Sequence, residues 1–149
     1  MRHVVIVASL VAIALSGRGF AQDAGTAASP GPSPSIAKGS RTFELRTYYA
    51  NPGKLEDLHR RFREHTIRLF EKHGMTIVGF WAPTAPAAAT NTLVYVLAYP
   101  SDEAREASWK AFGNDPDWIA ARDASERNGK LVAKVDSVMM KATDYSALK

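Results

Sequence analysis

The chain has 149 residues, a formal net charge of +4 and no cysteine. Without cysteine it forms no disulfide, no thiolate metal site and no Cys nucleophile. Part of the positive charge lies near the N-terminus, at Arg2 and Arg18, and no basic stripe follows. We therefore expect no nucleic-acid partner.

Residues 1–21 have the pattern of a secretory signal peptide. A short basic start, Arg2-His3, precedes a mostly apolar stretch over 4–15 that is too short to span a bilayer. Gly19-Phe20-Ala21 places small residues at positions −3 and −1 of a cut after Ala21. We predict a secreted or periplasmic protein with no integral membrane segment after cleavage; a short membrane anchor is the alternative.

Residues 22–40 have little to bury. They are rich in Ala, Gly, Pro and Ser, and 29–34 (SPGPSP) carry three prolines with fixed φ angles. This composition favours a disordered or polyproline-like linker. Residues 41–149 remain, which are enough for one modest domain.

The domain begins with a predicted strand and a predicted helix. Residues 42–50 (TFELRTYYA) alternate, which puts Glu44, Arg46 and Tyr48 on one face of a strand. Residues 54–73 carry apolar side chains at helical spacing, and Gly74 stands where a glycine ends a helix. Because His65 falls on this apolar stripe, we expect it to point toward the sheet.

Two strands that are apolar on both faces come next. They cover 75–82 (MTIVGFWA) and 93–99 (LVYVLAY), and a loop rich in Pro, Ala and Thr separates them. A strand with one wet face alternates apolar and polar residues, whereas a strand buried on both faces does not. These two strands therefore need cover on both sides of the sheet.

The last part of the chain predicts two helical pieces and a strand. Ser101 caps a helix that ends near Gly113, and Asp115-Pro116 starts another that Gly129 closes. Residues 132–140 form the final strand. The order β-α-β-β-α-β predicts an α+β, ferredoxin-like fold, with both helices on one face of an antiparallel four-stranded sheet.

This arrangement leaves the other face of the sheet bare. Strands that are apolar on both sides would then expose a large apolar patch. Pairing two such faces removes the patch, and roughly 800 Å² per subunit is typical of a stable interface. We therefore predict a homodimer through the open sheet face, in which two sheets form a closed α+β barrel.

An ordered series of short motifs resembles the NIPSNAP family. In chain order they are FELRTY (43–48), PGKL (52–55), HG (73–74), VGFW (78–81), NTLVY (91–95), AY (98–99), Trp109, DPDW (115–118) and YSAL (145–148). The resemblance covers residues 42–148 and implies a dimeric α+β barrel. It implies no particular reaction, although the same barrel carries antibiotic-biosynthesis monooxygenases and haem-degrading enzymes.

Several residues are candidates for chemistry, each with a structural alternative. His65 is either a buried histidine satisfied by one hydrogen bond or a proton carrier or ligand contact. Glu44 and Arg46, facing the interior of a closed barrel, must be paired or bind something. They either form a network that fixes the dimer register, or Arg46 contacts an anion while Tyr48 donates beside it.

The aromatic residues Trp81, Tyr95, Tyr99, Trp109 and Trp118 either fill the core or line a pocket. His73 precedes Gly74 and suits a helix C-terminus. His59, His65 and His73 lack the spacing of paired helical ligands, so we predict no metal site. The chain has no Gly-rich phosphate loop, no G-x-S-x-G and no H-E-x-x-H, and we predict no cofactor.

The favoured prediction is a protein that binds a small or hydrophobic ligand in a pocket between helix and sheet. The predicted lining residues are Arg46, Tyr48, His65, Trp81, Tyr95 and Trp109. A cofactor-independent monooxygenase-like enzyme and a protein-interaction module are the alternatives, so the sequence leaves open whether the chain is an enzyme.

Overall fold

The computed structural model describes Gly31, Ser33 and residues 35–149. The predicted signal peptide and most of the predicted linker therefore lie outside the described residues. None of the helices within this part of the chain is long and apolar enough to cross a membrane.

The secondary structure follows the predicted order. The strands are β1 (Thr42–Ala50), β2 (Thr76–Trp81), β3 (Thr92–Tyr99) and β4 (Val132–Lys141). Helix α1 covers residues 55–72 and has three parts: α-helical Leu55–Arg61, π-helical Phe62–Thr66 and α-helical Ile67–Lys72. A short α2 (Pro86–Ala89) lies between β2 and β3, and α3 (Asp102–Gly113) and α4 (Pro116–Ser125) connect β3 to β4.

The four strands form one antiparallel sheet in the order β2-β3-β1-β4. The central strands β1 and β3 pair from Thr42–Tyr99 to Tyr49–Thr92. The predicted α+β, ferredoxin-like fold is confirmed, because a β-α-β-β-α-β chain builds this antiparallel sheet.

The predicted helix caps are present. Ser101 Oγ accepts a hydrogen bond from the Ala104 N–H at 3.2 Å, and Asp115 Oδ1 accepts one from the Asp117 N–H at 2.8 Å. Such caps satisfy N–H groups that have no partner within the helix. Asp115 also contacts the end of α1, since its Oδ2 lies 2.6 Å from His73 Nε2.

The two faces of the sheet have different cover. The larger core packs helix side chains against strand side chains; among them are Leu58, Phe62, Phe70, Tyr95, Leu97, Tyr99 and Phe112. The opposite face carries a smaller cluster built on Phe43, Ala98 and Ala142, to which the described helices contribute no buried residue. Hence α1, α3 and α4 lie on one side of the sheet, as predicted.

Residues 35–40 differ from the prediction, which assigned them to a disordered linker. The Ala37 N–H donates to the Ala142 carbonyl at 2.9 Å, and the Asp144 N–H donates to the Ser35 carbonyl at 2.7 Å. Ala37 is buried. The amino-acid composition does not predict this ordered segment, because hydrogen bonds between backbone groups form without apolar side chains.

Candidate functional site

A buried carboxylate, Glu44, organises the helix-facing side of β1. Its residue is fully buried and its two oxygens accept six hydrogen bonds. Oε1 accepts from Arg46 Nη1 at 2.6 Å, from Arg105 Nη2 at 2.8 Å and from Ser137 Oγ at 2.7 Å. Oε2 accepts from Arg105 Nε at 2.9 Å, from Trp109 Nε1 at 2.9 Å and from Tyr99 Oη at 3.1 Å. Burial alone would raise the pKa of Glu44, but hydrogen bonds, led by that from Arg105, outweigh it and lower the pKa to about 2.

The Arg46 guanidinium lies between two aromatic rings. Its Cζ is 4.3 Å from the centre of the Trp109 ring and 5.5 Å from that of Tyr48. Cations are attracted to aromatic faces at such distances. Burial disfavours the charged form, but Tyr48, Tyr95 and Glu44 hold the pKa of Arg46 above its ordinary value. Arg46 is therefore a permanent cation in an aromatic setting.

Tyr95 lies directly opposite Arg46, on β3, and is fully buried. Within the described part of the chain, neither the Tyr95 hydroxyl nor Arg46 Nε has a hydrogen-bond partner. Burial, followed by the neighbouring Tyr48, raises the pKa of Tyr95, so its hydroxyl keeps its proton. The described chain thus holds two buried donors that meet no acceptor in hydrogen-bond geometry, although the Tyr48 hydroxyl and Arg46 lie close enough to the Tyr95 hydroxyl to influence its pKa.

The charged side chains at the site, which are Glu44, Arg46 and Arg105, carry more positive than negative charge. Glu44 contributes one negative charge, whereas Arg46 and Arg105 contribute one positive charge each. Buried charge is costly unless it is paired. An anion beside Arg46 would balance the cluster.

A groove between α1 and the sheet adjoins this cluster. It has a volume of about 210 Å³, and we call it the helix–sheet groove; its lining residues are His59, Phe62, Arg63 and Ile67 from α1, Phe80 from β2 and Leu93 from β3. The rings of Phe62 and Phe80 lie 5.4 and 5.5 Å from the ring of Tyr95. These two phenylalanines therefore separate the groove from the Arg46–Tyr95 pair.

The π-helical segment Phe62–Thr66 shapes one wall of the groove. It supplies Phe62 and Arg63 to the lining. Thr66 Oγ1 donates to the Arg61 carbonyl at 3.3 Å, which occupies a backbone acceptor inside the widened turn. Single π-helical turns within α-helices occur frequently at functional sites.

Four of the six predicted site residues come together. Arg46, Tyr48, Tyr95 and Trp109 form one cluster on the helix-facing side of the sheet. The prediction that Glu44, Arg46 and Tyr48 face the interior of a closed barrel is wrong, because these side chains face the helices. Alternation shows which residues share a face, but both faces of this sheet are rich in apolar residues, so it did not show which face the helices cover.

His65 does not point toward the sheet, which corrects the prediction. Its side chain is 44% exposed and its Nε2 lies 3.8 Å from a Glu64 oxygen. It borders a different pocket, with Arg61 and Ser125. The π-helical segment explains the error, since its wider turn places Thr66, and not His65, in the buried position.

Trp81 lies on the opposite face of the sheet and is 50% exposed, so it is not part of the cluster. The cause is a β-bulge in β2, where the pairing shifts between Ile77 and Gly79. A bulge adds one residue and reverses the alternation beyond it. Regular alternation from Ile77 would have turned Trp81 to the helices; the bulge turns Phe80 there instead.

Four further residues belong to the site, although the sequence pattern did not indicate them: Arg105, Ser137, Phe62 and Phe80. One signal was available for Arg105: it precedes Trp109 by four residues on α3, so both project from the same helix face. Ser137 pairs with Arg46 across β1 and β4, and only the strand register reveals it. No three His, Asp or Glu side chains in the described residues are grouped as metal ligands.

Solved structures of similar fold come from several bacteria. A NIPSNAP family protein of unknown function from Agrobacterium tumefaciens is 20% identical, with 77% of this chain and 99% of that chain covered and a TM-score of 0.66. An uncharacterized NIPSNAP-like domain protein from Burkholderia xenovorans is 15% identical, with 73% and 90% covered and a TM-score of 0.63.

A third structure of this fold is a monooxygenase from Streptomyces coelicolor in complex with the ligand nanaomycin D. It is 16% identical, with 74% of this chain and 94% of that chain covered and a TM-score of 0.51.

No curated protein matches the chain. The NIPSNAP family model matches residues 43–147, which include every residue of the Glu44 cluster. The chain therefore belongs to the NIPSNAP family.

Proposed function

We propose that the chain binds a small organic molecule with an apolar body in the helix–sheet groove. The observation that carries the proposal is the lining: Phe62, Ile67, Phe80 and Leu93 present apolar surface, and His59 and Arg63 add two polar groups. Concave apolar surfaces with a few polar groups are typical of ligand sites. The volume of about 210 Å³ lies below the usual range of roughly 300–1,000 Å³ and suits a small ligand.

The fold comparison agrees with this proposal. The Streptomyces coelicolor monooxygenase was solved with nanaomycin D bound, so a protein of this fold accommodates an organic ligand. Fold likeness alone does not transfer an activity. It supports ligand binding as a use of this architecture.

Titration with N-phenyl-1-naphthylamine, an uncharged fluorescent probe of apolar sites, tests the proposal. We expect saturable enhancement of its emission by the purified protein. Ile67→Glu, which places a charge in the groove, should weaken binding about tenfold or more. Ile119→Glu is the matched control, because Ile119 lies on α4 and is partly exposed. Absence of saturable binding, or equal loss with both variants, would contradict the proposal.

A second candidate function is a cofactor-independent monooxygenase-like reaction on a phenol. The Arg46–Tyr95 donor pair favours it, because buried donors stabilise a phenolate or enolate oxygen as charge develops. In such a reaction one atom of O₂ enters the ring as a carbonyl and the other leaves as water. Oxygen uptake with 1-naphthol measures it. Uptake no faster than in protein-free solution would leave ligand binding as the function.

We also propose that two copies pair through the open sheet face. At one end this face is apolar, with Val96 and Met140 partly exposed, and β4 adds Val138, which is 52% exposed. At the other end it is polar, with Lys134 paired to Asp136. Protein interfaces combine apolar surface with polar surface in this way.

Sedimentation velocity tests the pairing. We expect a dimer for the unmodified protein and a monomer for Val96→Glu, because a charge in the apolar part of the face cannot be buried unpaired. Ala111→Glu, on the exposed surface of α3, is the control and should stay dimeric. A monomeric unmodified protein would refute the pairing.

We further propose that the mature protein begins at Gln22 outside the cytoplasm. The support is the leader pattern of residues 1–21. N-terminal sequencing of the protein recovered from periplasm and medium tests the cut. Recovery only from the cytoplasm with residues 1–21 attached would contradict export.

A further inference from the structure

We infer that the ligand of the helix–sheet groove is an organic carboxylate whose oxygens bind Arg46 and Tyr95. This inference rests on the proposed ligand-binding function and adds the chemical class of the ligand. It concerns the inner end of the groove, where the lining residues Phe62 and Phe80 lie between the open space of the groove and the Arg46–Tyr95 pair.

The first argument is the hydrogen-bonding capacity of the pair. Arg46 and Tyr95 are direct partners across β1 and β3, and both side chains project toward the helices. Arg46 Nε and the Tyr95 hydroxyl are buried without a partner in the described chain. The other nitrogen of the Arg46 guanidinium, Nη2, makes only a long hydrogen bond, 3.4 Å from the Tyr48 hydroxyl. Buried donors are normally satisfied in native proteins, so the pair calls for an acceptor.

The second argument is charge. Glu44 neutralises only one of the two guanidinium groups that contact it, those of Arg46 and Arg105. One excess positive charge remains among these three side chains, and Arg46, with 16% of its side chain exposed, is more buried than Arg105, with 26%. A carboxylate brings one negative charge, acceptor oxygens and no donor, which matches both the charge and the unused donors. A cationic ligand would be repelled, and a neutral amide would leave the charge uncompensated.

The third argument is the path to the donors. Phe62 and Phe80 contact each other, with ring centres 5.6 Å apart, and each also contacts Tyr95. A carboxylate reaches Tyr95 when one of these rings turns aside, and the apolar body of the ligand then occupies the groove. Phe62 starts the π-helical segment, and its carbonyl accepts a hydrogen bond from the Ile67 N–H, five residues on.

Competition between two matched compounds tests the inference. The probes are 2-naphthoate and its neutral analogue 2-naphthamide, which share the same ring system. At neutral pH we expect naphthoate to bind at least about tenfold more tightly, because hydrogen bonds to a charged group exceed neutral ones by that margin. Equal affinities would overturn the inference.

Tyr95→Phe isolates the donor without changing the shape of the site. It removes a hydroxyl that has no partner in the described protein, so we expect an unchanged or higher melting temperature and a smaller preference for naphthoate. Tyr145→Phe is the control. Tyr145 is 83% exposed and lies outside the Glu44 cluster, so this variant should keep both the melting temperature and the preference. Full preference in Tyr95→Phe would count against the inference.

Arg46→Met removes the charge and should abolish the preference; if this variant does not fold, Tyr95→Phe remains decisive. The two proposals fail differently. Binding of N-phenyl-1-naphthylamine without a naphthoate preference overturns the carboxylate class and leaves the groove as a ligand site. Absence of binding by the neutral probe and by both naphthalene compounds overturns both.

Discussion

Arg105 binds both oxygens of the Glu44 carboxylate, through Nε at 2.9 Å and Nη2 at 2.8 Å. A bidentate pair fixes distance and orientation together. It joins α3 to β1, and the same carboxylate also holds Arg46 beneath Trp109. The geometry of the candidate site therefore depends on one buried acid that does not itself line the helix–sheet groove.

Glu44→Gln should lower the free energy of unfolding by about 3 kcal/mol at neutral pH. The reason is that Arg46 and Arg105 lose the charge that compensates them while they remain partly buried. Urea denaturation of the variant and of the unmodified protein measures the difference. A control is Glu106→Gln, at an exposed position of α3, where the free energy should barely change. A loss below about 0.5 kcal/mol would contradict the central role of Glu44.

The same pair of proteins should show a defined pH dependence. The pKa of Glu44 is lowered from 4.5 to about 2 on folding. A lowered acid pKa stabilises the folded state above the unfolded value, and this contribution disappears as the pH falls through the folded value. The difference in the free energy of unfolding between Glu44→Gln and the unmodified protein should therefore decrease as the pH falls from 4.5 to 2. A difference of constant size over that range would show that the charge of Glu44 is not what stabilises the fold.

Gly79→Ala should displace the Trp81 ring. A Cβ at position 79 would lie 2.8 Å from Cη2 of Trp81, which is closer than carbon atoms approach. Because Trp81 is half exposed, the ring can move with little cost in stability, and we expect altered tryptophan fluorescence. Gly113→Ala, where a Cβ would meet no atom within 4 Å, is the matched control. Identical spectra for both variants would mean that the ring does not rest on Gly79.

His65→Leu should be nearly silent. The side chain is 44% exposed and, among the described residues, has Glu64 alone at ion-pair distance. Surface changes of this kind alter the free energy of unfolding by less than about 0.5 kcal/mol. The affinity for N-phenyl-1-naphthylamine should also stay unchanged, because His65 does not line the helix–sheet groove. A large loss of binding would place His65 in the site after all.

Asp115→Asn separates a helix cap from an ion pair. Asparagine keeps the cap on the Asp117 N–H but loses the charge that contacts Lys72 at 2.7 Å and His73 at 2.6 Å. Lys72, followed by His73, lowers the pKa of Asp115. Its charge therefore stabilises the fold above pH 3.8, and this stabilisation fades as the pH falls.

The melting temperature of Asp115→Asn should thus lie below that of the unmodified protein at neutral pH and approach it in acid. Asp117→Asn is the control, since Asp117 is exposed and lies 3.7 Å from Arg68. Equal melting temperatures for Asp115→Asn and the unmodified protein at neutral pH would show that the cap alone matters.

The sequence predicted the order of elements well because local signals determine it. Alternation over 42–50 gave the faces of β1, and Ser101 and Asp115 marked the starts of two helices. The grouping of Arg46, Tyr48, Tyr95 and Trp109 was also predicted. Arg46 and Tyr48 share a face because they are two residues apart on β1.

The errors share one physical cause: a single extra residue within a regular element. The β-bulge at Ile77–Gly79 reversed the side of Trp81, and the π-helical turn at Phe62–Thr66 moved His65 out of the core. Periodicity assumes a constant repeat, so neither irregularity shows in the sequence pattern. The choice between the two sheet faces was likewise hidden, because both carry apolar residues.

The π-helical turn also shows where this helix can change in length. It accommodates one residue more than a regular turn, so removing one residue from 62–66 would restore a regular α-helix and leave the following residues on the same face. Leu69 and Phe70, which are fully buried, would then stay in the interior. An engineered deletion of one residue in this segment should therefore destabilise the protein less than a deletion of one residue elsewhere in α1.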